Sequence, residues 1–299
     1  MPSPVIAGVS ISHPDRLVYP ELGLTKLDVV RYYERVAAWM LPHIQHRPLT
    51  LVHCPEGLTA PCRYLRHVKT WGPKVLRRVT IREQTKVGEY LIAVDHAGII
   101  GLAQMSVLEI HTWNSTFEDV ERPNRLIWDL DPGPEVPWRE VVKAAHTVRE
   151  LLTILRLRSW VKTTGGKGLH VVAPIVPSWD WAECLAFAKT VAEALTRSAP
   201  DRFTTAFAKR GREDKILIDY LRNNRTNTSV AAFSTRARPC AAVSMPITWE
   251  ELTPKLKPSG LTVQTVPRRL ARLKTDPWAD YWTCRQRVSL AAKQAIGAI

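Results

Sequence analysis

The sequence has no apolar run long enough to cross a bilayer. Its most apolar window, residues 91–110, is interrupted by Asp95, His96 and Glu109, whereas a membrane helix needs about 20 consecutive apolar residues. The first 20 residues carry prolines and charged side chains in place of an apolar stretch, so we expect no secretory leader. These absences exclude a membrane span.

Cysteine is scarce. There are five cysteines, at Cys54, Cys62, Cys184, Cys240 and Cys284. Their number is odd and they contain no CxxC pair, so we expect reduced thiols. The alternative is a zinc site that combines Cys54 and Cys62 with His53 and His67, although this spacing matches no common ligand pattern.

Acidic residues are few relative to basic ones. The 28 Asp and Glu residues face 42 Lys and Arg residues, which gives a formal net charge of +14. The basic residues concentrate in stretches 62–86, 202–238 and 255–274. A single stretch of this kind is explained by a solvated face, but three of them indicate a polyanionic partner such as nucleic acid. The 45% hydrophobic content excludes a disordered chain.

Hydrophobic periodicity predicts interspersed helices and strands. The predicted helices cover residues 25–42, 97–107, 137–157 and 181–197. The predicted strands cover 49–53, two runs within 82–94, 108–113, 125–131, 160–163, 169–175, 215–221, 228–233 and 241–244. This order indicates an α/β or α+β class. We expect an N-terminal subdomain over 1–120, a catalytic core over 121–252 and a basic helical appendage over 253–299.

Acidic side chains interrupt two of the predicted strands. Asp129 and Asp131 are two residues apart, so both project from one face of a strand. Neighbouring carboxylates repel each other unless a cation lies between them, and oxygen ligands suit Mg²⁺ or Mn²⁺. Solvated acids at a strand end are the simpler alternative. Asp219 is either a third metal ligand or a salt-bridge partner, for example of Arg222.

A glycine-rich loop, residues 164–168, separates two predicted strands and precedes His170. Adjacent glycines allow backbone amides to approach a phosphate, and Lys167 adds a positive charge. The loop lacks the spacing of a Walker A motif, so a plain glycine-rich hairpin remains the alternative. His111 follows Glu109 on a predicted strand, where a hydrogen-bonded core histidine is the ordinary explanation.

Six segments, in this order, resemble the polymerase domain of bacterial ligase D, the repair ligase of non-homologous end joining, within the archaeo-eukaryotic primase superfamily. They are LTKLDVVRYYERVA from Leu24, RPLTLVHCPEG from Arg47, GLAQMSVLEIHTW from Gly101, DLDPG from Asp129, TTGGKGLHVVAPI from Thr163 and KILIDYLRNNRTNTSVAAFSTRARPCAAVSMPITWEEL from Lys215. They are distributed over residues 24–252.

The resemblance implies a primase-type catalytic core with an RRM-like sheet and an N-terminal α/β subdomain. It implies addition of ribo- or deoxynucleotides to a primer 3′-OH at gaps and double-strand break ends, with two Mn²⁺ or Mg²⁺ ions and NTP or dNTP as substrate. The implied partners are gapped or broken DNA with a 5′-phosphate, the Ku end-binding protein and an ATP-dependent ligase module. The implied location is the bacterial cytoplasm, on the nucleoid.

The resemblance also assigns individual residues by position. The metal ligands and catalytic residues are Asp129, Asp131 and Asp219. The nucleotide contacts are His111, Thr164, Lys167, His170, Arg222 and Arg236. By the resemblance, Lys26 belongs to a pocket for the 5′-phosphate and Tyr64 stands at a DNA-stacking position. Arg63, Arg66 and Lys69 are expected DNA contacts because they belong to the basic stretch 62–86.

The sequence departs from the family pattern at three places. Thr164 stands where Ser is usual, Tyr64 and Leu65 stand where two Phe are common, and His53 replaces an arginine. A single stacking ring therefore remains at the second place. The alternatives are a stand-alone primase-polymerase in another gap-filling pathway, a non-catalytic DNA-end-binding module, and a metal-dependent hydrolase that would release nucleoside monophosphate or cut DNA.

Overall fold

A computed structural model describes residues 3–68, 72–83, 85–208, 210–289, 291–292, 294 and 296. The helices are α1 (Lys26–Ile44), α2 (His96–Gln104), α3 (Trp138–Ile154), α4 (Trp181–Ser198) and α5 (Val266–Leu270). The strands are β1 (Val5–Ile6), β2 (Val9–Ser10), β3 (Leu17–Tyr19), β4 (Leu24–Thr25), β5 (Leu49–His53), β6 (Arg63–Leu65), β7 (Arg77–Arg82), β8 (Val87–Ile92), β9 (Val107–Thr112), β10 (Arg125–Pro132), β11 (Trp160–Thr163), β12 (Leu169–Pro174), β13 (Phe203–Thr204), β14 (Ile216–Asp219), β15 (Ser229–Val230) and β16 (Pro246–Ile247). None of the helices in those ranges combines the length and apolarity of a bilayer crossing.

Helix α1 begins where its local sequence predicts. The Thr25 hydroxyl accepts a hydrogen bond from the Asp28 amide at 3.2 Å, and the Asp28 carboxylate accepts one from the Thr25 amide at 2.8 Å. This reciprocal capping box satisfies amides that have no partner within the helix. The helix continues past Pro42, the predicted end, because the Gln45 amide still bonds to the Leu41 carbonyl.

The chain folds into two compact units, and neither is continuous in sequence. Unit 1 comprises residues 1–118, 228–245 and 259–274, and unit 2 comprises residues 119–227, 246–258 and 275–299. The segment expected to be an appendage instead contributes to both units. Val266 and Leu270 of α5 are buried in unit 1, and Trp278 and Tyr281 are buried in unit 2. Apolar side chains at these positions bind the segment into the two cores.

Unit 1 contains a four-stranded antiparallel sheet in the order β15–β9–β5–β6, a separate β7–β8 hairpin, and the packed helices α1 and α2. The strand predicted over 241–244 is wrong, because this segment makes only isolated bridges, such as Thr235 with Val243. The predicted strand over 228–233 is reduced to β15. Phe233 and Ala241 have φ of 64° and 47°, and these left-handed conformations interrupt an extended chain.

Unit 2 is built on a six-stranded sheet in the order β13–β14–β10–β12–β11–β16, in which only the β13–β14 pair is parallel. The Trp128 indole donates a hydrogen bond to the Ala188 carbonyl in α4 at 3.1 Å, so α4 covers the face that carries Trp128. Asp129 follows Trp128 and therefore points to the opposite face. That face also carries a buried apolar cluster, formed by Ile127, Trp160, Val172, Trp278 and Tyr281.

Cys54 and Cys62 form a disulfide, so the expectation of reduced thiols was wrong for this pair. Strands β5 and β6 pair with His53 opposite Arg63, and this register brings the adjacent cysteines together at the hairpin end. Sequence spacing alone gave no signal of it. The other cysteines, Cys184, Cys240 and Cys284, are free. Over the described part of the chain, no group of three or more metal-ligand side chains supports the zinc alternative.

Candidate active site

Four neighbouring strands of unit 2 align four polar side chains in one row. Asp129 on β10 is the direct partner of Asp219 on β14 and of His170 on β12, and His170 is the partner of Lys162 on β11. Directly opposed residues of antiparallel strands project from the same face. Each of the four residues is at most 9% exposed. The sheet therefore carries a buried row of two acids followed by two nitrogen bases.

Arg222 provides the positive charge beside the two acids. Its Nε lies 3.1 Å from Asp129 Oδ2, and its Nη2 lies 3.1 Å from Asp219 Oδ2. Burial alone would raise the pKa of Asp129, but His170 and Arg222 outweigh burial and hold this pKa below its ordinary value. Burial raises the pKa of Asp219, and Arg222 only partly opposes it. The salt bridge that the sequence allowed for Asp219 is therefore present.

Asp131 lies at the exposed end of β10, on the same face of the strand as Asp129. Its Oδ2 lies 3.2 Å from Nη2 of Arg212. Over the described ranges, no three His, Cys, Asp or Glu side chains converge closely enough to hold a metal ion. The three carboxylates nevertheless match a hard divalent cation in donor type, and each of them is already paired with a cationic arginine. The donor set fits such a metal, provided that the arginines move aside.

His170 is neutral in the folded chain near pH 7. Burial and the Lys162 ammonium lower its pKa to about 4. Its Nε2 lies 3.4 Å from Asp129 Oδ1, and its buried Nδ1 has no hydrogen-bond partner within the described residues. A buried polar nitrogen without a partner is costly. A bound ligand that satisfied this atom would remove that cost.

The glycine-rich loop between β11 and β12 is held tightly against β10. The Thr164 hydroxyl donates to the Gly168 carbonyl at 3.1 Å and closes the loop. A Cβ atom at position 168 would lie 2.4 Å from the Leu130 carbonyl oxygen, so only glycine fits there. Gly165 has φ of 69°, and Lys167 is exposed. The loop is therefore a tight hairpin that fixes the position of Thr164 relative to Lys162 on β11.

A second polar cluster lies in unit 1 around Glu109. Nε2 of His111 lies 2.9 Å from one carboxylate oxygen, and Nε of Arg236 lies 3.0 Å from the other. The Ala237 amide donates to that second oxygen at 2.9 Å. Burial would raise the pKa of Glu109, but His111 and Arg236 lower it to about 2. The structure thus brings two predicted nucleotide contacts, His111 and Arg236, together through Glu109, an acid that was not among the predicted site residues.

The predicted DNA contacts of strand β6 lie beside this cluster. Tyr64 is exposed, and its ring meets the His111 imidazole edge-on with centroids 6.2 Å apart. Arg63 is exposed on the same strand, and Arg66 follows the strand with intermediate exposure. Lys69 lies outside the described residues. Tyr64, the one aromatic ring at the place where the family commonly has two Phe, is therefore exposed and adjacent to His111, a candidate nucleotide contact.

Lys26 is buried in the first turn of α1, unlike a solvated surface lysine. It is 5% exposed, and its Nζ donates to the Ser12 carbonyl at 2.9 Å. Burial and the nearby positive charge of Arg16 lower its pKa to about 8. A buried ammonium beside a guanidinium and a helix N-terminus favours an anion.

Comparison with known proteins decides the family. The LigD primase-polymerase domain family matches residues 25–278. The chain belongs to this family. It is 37% identical over 294 residues to the multifunctional non-homologous end joining protein LigD of Pseudomonas aeruginosa, covering 97% of this chain and 35% of that protein. It is 32% identical over 252 residues to LigD of Mycolicibacterium smegmatis, covering 83% of this chain and 33% of that protein. The LigD primase-polymerase domain thus spans about a third of these curated relatives.

A solved structure agrees with this assignment. The polymerase domain from Mycobacterium tuberculosis ligase D, in complex with DNA, matches this LigD primase-polymerase domain with a TM-score of 0.83 and 31% identity. The match covers 88% of this chain and 94% of that one. The predicted mixed α/β fold with a primase-type core is confirmed, and the domain is a nucleotidyltransferase by family.

Three charged residues that were not predicted lie next to predicted site residues of this LigD primase-polymerase domain: Lys162 beside His170, Arg212 beside Asp131 and Glu109 beside His111. Lys162 is the one charged residue of β11, and a single charge within a buried strand is the same signal that marked Asp219 on β14. Glu109 shares a strand face with His111, two residues away, so period-two alternation could have identified it. Arg212 lies in a charged loop, and the sequence contained no signal for its pairing with Asp131.

Proposed function

We propose that this chain adds ribo- or deoxynucleotides to a primer 3′-OH opposite a template strand, at gaps and double-strand break ends, in non-homologous end joining. The row of Asp219, Asp129, His170 and Lys162 supports this proposal most directly. Nucleotidyl transfer needs oxygen ligands for divalent ions and positive groups for phosphate oxygens. The row supplies both on adjacent strands, whose rigidity keeps the groups in place.

Metal binding in this proposal belongs to Asp129, Asp131 and Asp219, with Mn²⁺ or Mg²⁺ as the ions. When bound, such a pair of ions would activate the primer hydroxyl and neutralise the triphosphate. The Arg222 guanidinium, which contacts two of these acids, would then turn from the carboxylates to the phosphates. Arginine suits this exchange because its fork of donors matches carboxylate and phosphate equally well.

The remaining candidate residues bind the nucleotide and the DNA. We assign Thr164, Lys167, His170 and Arg236 to the triphosphate, and His111 to the sugar of the same nucleotide. For DNA, we assign Lys26 to the 5′-phosphate at the far side of the gap. Tyr64 stacks on a base, while the backbone contacts are Arg63, Arg66 and Lys69. By family resemblance, Ku and an ATP-dependent ligase module act with this domain on the nucleoid, in the bacterial cytoplasm.

The test is primer extension on a gapped duplex that carries a 5′-phosphate, with Mn²⁺ or Mg²⁺ and with either NTP or dNTP. We expect template-directed addition and release of pyrophosphate. DNA binding without extension would support the non-catalytic end-binding module instead. Nucleoside monophosphate or cut DNA as product would support the hydrolase. Asp129→Asn serves as the inactive control.

A further inference from the structure

Glu109 is the centre of a buried network that joins two distant parts of unit 1. Its side chain is 9% exposed, and it contacts His111 from its own strand and Arg236 from a segment 127 residues further along the chain. The Ala237 amide also donates to it. One carboxylate therefore forms hydrogen bonds with His111 and the Ala237 amide and an ion pair with Arg236. An acid with its charge so completely matched keeps all three groups in one arrangement.

The backbone around Arg236 is held as firmly as its side chain. The Tyr19 hydroxyl donates to the Arg236 carbonyl at 2.8 Å, and the Arg236 amide donates to the Ala242 carbonyl at 2.8 Å. The segment just before it is bound to β9, since the Ile110 amide donates to the Ser234 hydroxyl at 2.8 Å. The backbone that carries the guanidinium is thus fixed on both sides, and the guanidinium itself forms an ion pair with Glu109.

The same carboxylate also sets the hydrogen-bonding state of His111. An ionised carboxylate can only accept hydrogen bonds, so the His111 Nε2 that faces it at 2.9 Å is the protonated nitrogen. In the neutral ring the lone pair then lies on Nδ1. A fixed tautomer gives the imidazole one defined acceptor, which is what recognition of a sugar hydroxyl needs.

We propose that Glu109 is a positioning residue that couples sugar recognition by His111 to phosphate binding by Arg236 on the same nucleotide. This inference rests on the proposed function, which assigns the nucleotide to these two residues. Glu109 itself touches no substrate. It sets the distance and orientation between the two groups that do, so that a nucleotide must satisfy both at once.

A purely structural role for Glu109 is the competing explanation, and unit 1 offers a matched control. Glu83 is an acid of intermediate burial whose side chain is 8% exposed, and its carboxylate accepts hydrogen bonds from His67 and Tyr90. Glu83 directly follows β7, which is one strand of the separate two-stranded sheet. Replacing either glutamate with Gln removes one buried charge from a histidine-bonded network. Only the Glu109 variant should change nucleotide selection.

The experiment compares the variants Glu109→Gln, Glu83→Gln, His111→Ala, Arg236→Ala and the Glu109→Gln/His111→Ala double variant of this chain in gap filling with NTP and with dNTP. For Glu109→Gln we expect a nucleotide KM about tenfold higher, a smaller change in kcat, and a changed ratio of NTP to dNTP kcat/KM. Glu83→Gln should lower Tm to a similar extent and leave this ratio unchanged. The double variant should show the ratio of His111→Ala alone, because coupled residues are not additive.

Three results would overturn the inference. The first is an additive double variant, and the second is a Glu109→Gln enzyme whose NTP to dNTP ratio equals that of the native chain. The third is a lack of any kinetic effect in both His111→Ala and Arg236→Ala, which would also remove the nucleotide assignments on which the inference rests. Should Glu109→Gln fail to fold, Glu109→Asp retains the charge with a shorter reach. A folded Glu109→Asp variant with the same ratio of NTP to dNTP kcat/KM as the native chain would equally contradict the inference.

Discussion

Asp129 and Asp219 face each other across the β10–β14 pair, and the guanidinium of Arg222 contacts both carboxylates at 3.1 Å. Two buried acids in direct register repel each other unless a cation lies nearby. Arg222 supplies this cation from the turn that immediately follows β14. The arrangement explains how a chain can keep two acids buried on one face of its sheet. It also places Arg222, the proposed phosphate-binding group, beside them.

The two acids should differ in their contribution to stability. The folded chain favours the charged form of Asp129 and disfavours that of Asp219, as the opposite directions of their pKa shifts indicate. Asp129→Asn should therefore lower the free energy of unfolding by roughly 1–3 kcal/mol, whereas Asp219→Asn should leave it unchanged or raise it slightly. Urea denaturation at pH 7 measures both. The reverse order of stabilities would contradict this electrostatic account.

Primer extension should depend on both acids regardless of stability. Asn keeps the shape of the side chain but loses the charge that holds a divalent cation, so Asp129→Asn and Asp219→Asn should each abolish extension. Affinity for gapped DNA should stay within about twofold, since it depends on basic residues that contact phosphate. Extension gels and fluorescence anisotropy separate the two properties. A folded variant that still extends primers would remove its residue from the metal site.

Lys162 should matter for nucleotide use although it lies outside the glycine-rich loop. Its direct partner in the sheet is His170, and loss of a charge-assisted contact to phosphate costs roughly 1.5–3 kcal/mol. Lys162→Met should thus lower kcat/KM for the nucleotide about ten- to a hundredfold, with little change in DNA affinity. Lys143→Met, on the exposed side of α3, is the matched control. Equal kinetics in both variants would assign Lys162 to packing alone.

Recognition of the 5′-phosphate should weaken at alkaline pH. Burial lowers the pKa of Lys26 to about 8, so the ammonium loses its proton between pH 7 and pH 9 in the folded chain. The preference for gaps with a 5′-phosphate over a 5′-hydroxyl should fall across this range. Binding assays at constant ionic strength measure that preference. Lys26→Met should show little preference for the 5′-phosphate at any pH. If its preference equals that of the native chain, the 5′-phosphate pocket is assigned instead to Arg63, Arg66 and Lys69.

The contribution of Lys26 to stability should instead increase with pH over a similar range. The unfolded chain keeps the Lys26 proton up to the ordinary pKa of about 10.5, whereas the folded chain releases it near pH 8. More protons are bound to the unfolded state in between, so the contribution of Lys26 to the free energy of unfolding rises from pH 8 to pH 10.5. The difference between native and Lys26→Met unfolding curves isolates this contribution. A difference in the free energy of unfolding that does not change with pH over that range would contradict the lowered pKa of Lys26.

Reduction of the Cys54–Cys62 disulfide should destabilise unit 1. The bridge spans 8 positions in sequence. Closing a loop of this length lowers the conformational entropy of the unfolded chain and so stabilises the folded chain by about 2–3 kcal/mol. Dithiothreitol should lower the unfolding midpoint of the native chain but not that of a Cys54→Ser/Cys62→Ser variant. Thiol titration in denaturant should give three thiols before reduction and five after it. Five thiols before reduction would contradict the disulfide.

Local sequence by itself determined several elements of this protein. The capping box of Thr25 and Asp28 set the start of α1, and the two-residue spacing of Asp129 and Asp131 put both acids on one face of β10. These features depend on neighbours within one turn or one strand, where backbone geometry relates spacing to direction. The strands on either side of the glycine-rich loop were predicted for the same reason.

Tertiary structure alone decided which of these residues meet. Asp219 lies 90 positions beyond Asp129, and only the register of β10 with β14 sets them opposite each other. Glu109 meets Arg236 in the same way, because the chain after β15 returns along β9. A shift of one residue in either pairing would turn these side chains to the other face. Register depends on the packing of whole sheets against their helices, so no local pattern in the sequence could reveal it.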